Sequence, residues 1–144
     1  MRMVEKARAP AWYWIVAVLA VIWNGFGCFD YVMTVTRNVA YLSAFPREYV
    51  AYLDTLPLWL VGFWALGVGG GLAGALLLLR RARLAAAAFG VSLLGLVVTS
   101  VYQWRDTEAP AISSADVAIS VAIWLIALAL LLFSLRMLRA GVLR

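Results

Sequence analysis

The sequence predicts an all-α fold, an integral membrane four-helix bundle with a short amphipathic helix between the first and second spans. Three observations carry this. Hydrophobic residues make up 66% of the 144 residues and charged residues only 13%, with a mean hydropathy of +0.95, whereas a soluble domain carries roughly 45–50% apolar and about 25% charged residues. Four apolar runs are each long enough to cross about 30 Å of hydrocarbon, which takes about 20 helical residues. The basic residues gather on alternate connections between those runs. Together the runs use most of residues 1–144, which therefore read as a single transmembrane domain with no soluble domain of useful size.

The first span covers 11–35. Arg2, Lys6 and Arg8 before it resemble the basic start of a signal peptide. The apolar stretch continues past the usual length of about 7–15 residues and meets no small-x-small cleavage site, so it reads as a retained helix, with Trp12, Tyr13 and Trp14 as its interfacial anchor. In the next connection Phe45, Tyr49, Tyr52, Leu53 and Leu56 recur at helical spacing, and Arg47, Glu48, Ala51 and Asp54 take the other side. With Pro46 suited to a first turn, this predicts an amphipathic helix over about 46–56. It lies at the interface, aromatic side down, or closes over the bundle as a lid. The second span (57–79) and the third (84–104) are joined by the very short segment 80–83, which forces an antiparallel hairpin. Its arginines Arg80, Arg81 and Arg83 read as topology signals beside headgroup phosphates. The loop over 105–115 contains Pro110, and Ser113-x-x-Asp116 is a capping box ahead of the fourth span, 117–135.

Orientation follows from charge. Arg2, Lys6, Arg8, Arg80, Arg81, Arg83, Arg136, Arg139 and Arg144 fall on one side, and only Arg37, Arg47 and Arg105 on the other. Excess Lys and Arg stay cytoplasmic, so both termini are expected inside. Glu48, Asp54, Asp106, Glu108 and Asp116 fall on the outer side. The net charge of +5 is thereby a matter of topology, and nucleic acid is not an expected partner.

Helices in lipid associate through small residues and interhelical hydrogen bonds. Gly67, Gly70, Gly71 and Gly74, with Gly69, mark a packing face on the second span; they lie mid-membrane with no P-loop Lys-Ser/Thr after them, which excludes a phosphate loop. On the first span Ala17, Ala20, Asn24, Gly27, Tyr31 and Thr34 share a face with Asp30 at its edge. The third span carries Ser92, Gly95, Thr99 and Tyr102, with Gln103 alongside. Polar residues within spans turn inward, so the first and third helices are expected to face each other and line a polar region in the outer half of the bundle. Asp30 reads either as a proton or cation relay or as a partly hydrated carboxylate accepting from Tyr102, Gln103 or Arg37. Asn24 reads as a helix–helix hydrogen-bonding residue, and Cys28 as a small packing residue.

The chain has no histidine and one cysteine, which removes an internal disulfide, a Cys/His zinc site, His-ligated haem and a Ser-His-Asp triad. No cofactor and no metal is implied. With Trp23-Asn24-x-x-Gly27-x-x-x-Tyr31, Leu56-Pro57-x-Trp59, the glycine run through Leu78-Leu79-Arg80, Ser92-Leu93 and Tyr102, the chain resembles a family of uncharacterised small bacterial four-span membrane proteins. Its members often carry the label "sugar transporter". The resemblance implies a bacterial inner-membrane location and brings no catalytic or sugar-binding residues with it.

The function expected is that of an accessory or interaction subunit, packing against another membrane protein or itself in the bilayer. The alternative is a transporter or carrier of a small polar solute, using the polar stripes, Asp30 and the aromatics Trp23, Tyr31 and Trp104, although no inverted repeat or broken helix is visible. An enzyme acting on lipid or quinone needs titratable groups held together, and only Asp30, Tyr31 and Tyr102 qualify, so none is expected. A nearly charge-free interior also argues against a water-filled channel, whose selectivity usually relies on rings of charge or carbonyls.

Overall fold

The computed structural model describes residues 8–144; Arg2 and Lys6 lie outside the described residues. The elements are α1 (Ala11–Val35), α2 (Val39–Leu42), α3 (Arg47–Leu53), α4 (Leu58–Leu79), α5 (Leu84–Arg105) and α6 (Ser114–Arg139), with no strand among the described residues. The helices α1, α4, α5 and α6 are long and apolar enough to cross a membrane. Their outward faces carry large hydrophobic side chains such as Leu19, Leu125 and Leu132. A soluble monomer does not expose apolar surface on that scale; this is a multi-pass helical membrane protein.

The fourth long helix begins at Ser114 rather than near 117, because the Ser113 hydroxyl accepts from the Asp116 amide (3.2 Å) while the Asp116 carboxylate accepts from the Ser113 amide (3.0 Å). It runs to Arg139, past the apolar boundary at 135, since Arg136 and Arg139 suit the negative end of a helix dipole. The amphipathic segment is shorter than 46–56: α3 covers Arg47–Leu53, and a one-turn helix, α2, precedes it.

The long helices follow the order α1, α4, α5, α6 around the bundle, with α4 in contact with both α1 and α5. This corrects the expected facing of the first and third spans. The stripe on α1 is real, but α4 receives it. Tyr31 meets the Trp64 ring edge-on (centroids 5.1 Å apart), the Cys28 thiol donates to the Val68 carbonyl (3.2 Å), and Asn24 lies over Gly71. Lower down, the fully buried Tyr13 donates its hydroxyl to the Leu78 carbonyl (2.6 Å). Positions 64, 68, 71 and 78 thus form one helical stripe on α4, antiparallel to α1. A neighbouring stripe of Gly67, Gly70 and Gly74 faces α5. Glycines on two adjacent faces leave α4 with bare backbone on both, so two helices dock on it and the polar face of α5 cannot reach α1 except over Gly71.

Tyr13 is a core residue, a second correction: its ring stacks on Phe133 (5.7 Å, 29°) instead of lying at an interface, and Trp12 meets Phe133 edge-on. With Ala17, Ala75, Ala85, Phe89, Leu130 and Met137 it closes the end of the bundle where α1 and α5 begin and α4 and α6 finish, here the closed end. After α6, Gly141 (φ +70°) ends the helix, its amide bonding Leu138 O and that of Val142 bonding Met137 O, a Schellman arrangement. Residues 142–144 then pair with the α4–α5 turn: Arg144 N donates to Arg81 O (2.6 Å), Arg83 N to Arg144 O (3.0 Å), and the Arg81 side chain to Val142 O (2.9 Å). Arg81 therefore has a structural contact in addition to its charge.

A roofed cleft at the open end of the bundle

At the opposite end α6 leaves its neighbours. Leu130, Ser134 and Met137 are buried, yet every residue from 111 to 121 is exposed. The departure opens a cleft of about 500 Å³ between α6 and the faces of α1, α4 and α5, with α3 across its end. That size falls in the range of about 300–1,000 Å³ typical of small-molecule sites. Phe89 and Leu130 form the floor, and Tyr49, Tyr52, Leu53 and Leu56 the roof. Tyr52 and Leu53 are 7% exposed, so the aromatic side of α3 lies over the cleft in the lid position.

The roof is held by phenol–carboxylate contacts. Tyr41 donates to Asp30 (2.6 Å) and Tyr52 to Asp106 (2.9 Å), while an exposed ion pair joins Arg37 to Asp54 (2.6 Å). Exposed pairs of that kind contribute about 0–1 kcal/mol, so the phenols are the stronger ties. Arg37 adopts a left-handed conformation (φ 53°) at the C-terminus of α1, with its own amide bonded to Thr34 O and that of Asn38 to Met33 O. This turn directs the chain into α2, where the Asn38 side chain accepts from Tyr41 N (2.9 Å) and helps place the Tyr41 phenol beside Asp30. Phe29, Tyr41, Phe45 and Tyr49 continue the roof as a run of ring contacts at 5.4 to 5.7 Å.

The hydrogen bond to Asp30, then burial, then the Asp30 charge push the Tyr41 phenol from 10.0 up to about 12. Burial first and then the Asp106 contact also push Tyr52 up; burial, Asp30 and Asp116 do the same for Tyr49. The neutral phenol is thus favoured in the folded state. Its stabilisation is complete below pH 10.0 and is lost as the pH rises through about 12. An alkaline titration of phenolate absorbance in micelles is expected to show a component near 12 that Tyr41→Phe removes. Loss of a component at the ordinary tyrosine position in that variant would contradict the Asp30 contact.

Of the residues singled out from the sequence, Asn24, Asp30, Ser92, Thr99 and Gln103 all line this one cleft. Asn24 and Ser92 converge on Gly71, where an added Cβ would run into the Asn24 amide and lie 3.2 Å from the Ser92 hydroxyl. Asn24 donates one amide proton to Ala20 O of its own helix (2.8 Å) and Ser92 donates to Gly67 O (2.5 Å), so the Ser92 proton and one of the two Asn24 protons are taken by backbone and both side-chain oxygens remain as acceptors. Thr99 bonds within its own helix, to Gly95 O (2.9 Å) and Leu96 O (3.1 Å). Tyr31 and Tyr102 do not join them. Tyr31 faces α4, its hydroxyl 3.5 Å from Val61 O, and Tyr102 packs against Trp59 (5.6 Å) on the other side of the hairpin. The partner of Asp30 is Tyr41, not Tyr102, Gln103 or Arg37. Trp23 lines the cleft, whereas Trp104 is 79% exposed outside it. Phe26 and Trp124 on facing walls, and the roof pair Tyr52–Asp106, went unrecognised. The spacing of Trp23, Phe26 and Asp30 at i, i+3 and i+7 was the available signal for the α1 wall.

Gly67, Gly70, Gly71 and Gly74 all meet neighbouring helices as expected of packing glycines, and Gly95 is tighter still: a Cβ there would lie 2.5 Å from Gly67 N and Phe63 O. No known protein family, curated protein or solved structure matches this chain.

Proposed function

We propose that this protein is a membrane-embedded binding protein whose cleft takes up a small lipid-soluble molecule from the bilayer. The observation that carries this reading is the cleft itself: about 500 Å³, floored and roofed, with aromatic and aliphatic walls and a few polar groups. Apolar walls with a small number of placed polar groups are the usual composition of such sites. The walls favour an apolar ligand over the polar solute of the carrier reading. The packed closed end shuts the cleft off on that side of the bundle. With the termini in the cytoplasm, as the distribution of arginines favours, the roof lies at the outer face of a bacterial inner membrane and the mouth opens on the outer leaflet.

Filling the cleft tests this. Ala127 lines it on α6, and Ala127→Trp would occupy part of the volume. Organic extracts of the mildly purified wild-type protein are expected to contain a lipid-soluble compound in near-stoichiometric amount, and extracts of Ala127→Trp to be depleted of it. Equal amounts from both proteins would overturn the reading.

The accessory-subunit reading keeps one observation of its own, the exposure of every residue from 111 to 121. A partner helix, or a second copy, could cover that stretch of α6. Cross-linking from Ile119 in native membranes that captures one discrete species would favour it.

A further inference from the structure

Resting on the binding reading above, we infer that the ligand of the cleft is a lipophilic organic cation, with Asp30 as its counter-charge and the rings of Trp23, Phe26, Tyr49 and Trp124 as its surroundings. Among the described residues Asp30 is the one charged side chain in the lining, and no arginine or lysine lines it. The Arg37 guanidinium, which follows α1 closely in sequence, is paired with Asp54 instead. Tyr41 donates to one Asp30 oxygen, Oδ1, and among the described residues the other oxygen has no hydrogen-bond partner and the carboxylate no ion-pair partner.

A carboxylate within apolar walls attracts a cation more strongly than one in water, because the local dielectric is low. Aromatic faces add to that attraction for an ammonium or phosphonium centre. On α1, Trp23, Phe26 and Asp30 line the cleft together at helical spacing, so rings and carboxylate share one wall. Trp23 is 40% exposed and Phe26 68% exposed, which leaves both rings open to contact. The Tyr49 hydroxyl has no hydrogen-bond partner among the described residues, and it lies close enough to Asp30 for that charge to act on it. A phospholipid headgroup fits poorly: it would bring a phosphate beside Asp30 with no basic side chain in the lining to meet it.

Three probes with similar apolar bodies separate the possibilities in neutral detergent: tetraphenylphosphonium, neutral triphenylphosphine oxide and tetraphenylborate, each titrated against the full chain by tryptophan fluorescence. The cation is expected to bind about tenfold or more tightly than the neutral probe, and the anion more weakly than either. Asp30→Asn is expected to remove the cation's advantage. Tyr41→Phe, which deletes the same hydrogen bond and leaves the charge, is expected to retain it, separating the carboxylate's charge from its role in holding the roof. Cation and neutral probe binding equally to the wild type, both blocked by Ala127→Trp, would overturn the charge assignment and leave the binding reading standing. No binding by any probe would overturn both. The comparison of probes on the wild type remains decisive if Asp30→Asn does not fold.

Discussion

Truncating Tyr13 to alanine is expected to destabilise the bundle by about 2–4 kcal/mol, less than the roughly 3–5 kcal/mol typical of buried aromatics in soluble cores because lipid supplies little of the transfer term. The ring is fully buried and stacks on Phe133, so its removal leaves a void between α1 and α6 at the closed end. The hydroxyl also donates to the Leu78 carbonyl in the last turn of α4, which accepts from the Arg81 amide as well (2.8 Å). Tyr13→Phe isolates that bond and is expected to cost about 1 kcal/mol. Unfolding by sodium dodecyl sulfate in mixed micelles, followed by circular dichroism, measures both. Equal midpoints for wild type and Tyr13→Ala would show that the closed end is not held by this residue.

Gly95→Ala is expected to cost about 1–3 kcal/mol, the range of overpacked cores, against a helix-propensity gain of about 1 kcal/mol already included in the net. The new methyl would sit 2.5 Å from Gly67 N and Phe63 O. Those are backbone atoms, so no side chain can rotate away and the α4–α5 hairpin itself must separate. Gly69→Ala is the control, since nothing lies within 4 Å of its added carbon, and it is expected to be neutral or mildly stabilising in the same assay. A loss of stability in Gly69→Ala equal to that in Gly95→Ala would contradict the assigned faces of the hairpin.

The number, length and alternation of the spans were legible because lipid imposes them residue by residue: long apolar runs, charged connections, a capping box at Ser113. The inward stripe of α1 was legible for the same reason. Its partner was not. Small residues state that a helix is approached closely, without stating by which neighbour, and only the placement of Gly67 and Gly71 on adjacent faces of α4 decides that α4 separates α1 from α5. Tyr13 read as an interfacial anchor because a tyrosine next to two tryptophans at a helix start has that composition; stacking on Phe133, 120 positions away in sequence, leaves no local signal. The cleft combines both limits. Asn24, Asp30, Ser92, Thr99 and Gln103 announced themselves as polar groups inside apolar runs, whereas the aromatic walls look like any lipid-facing surface until α6 is seen to turn away.

That departure of α6 underlies the cleft and the access of Asp30 to a ligand. Nitroxide labels placed singly along α6 in liposomes, on a chain with Cys28 replaced by serine, measure it through collisions with dissolved oxygen. From Leu130 to Met137 accessibility is expected to rise and fall with the helical period, as buried and exposed positions alternate there. From Val117 to Val121 it is expected to stay high on every side. A helical period continuing unbroken from Met137 to Val117 would mean that α6 packs along its whole length, and the cleft would not exist.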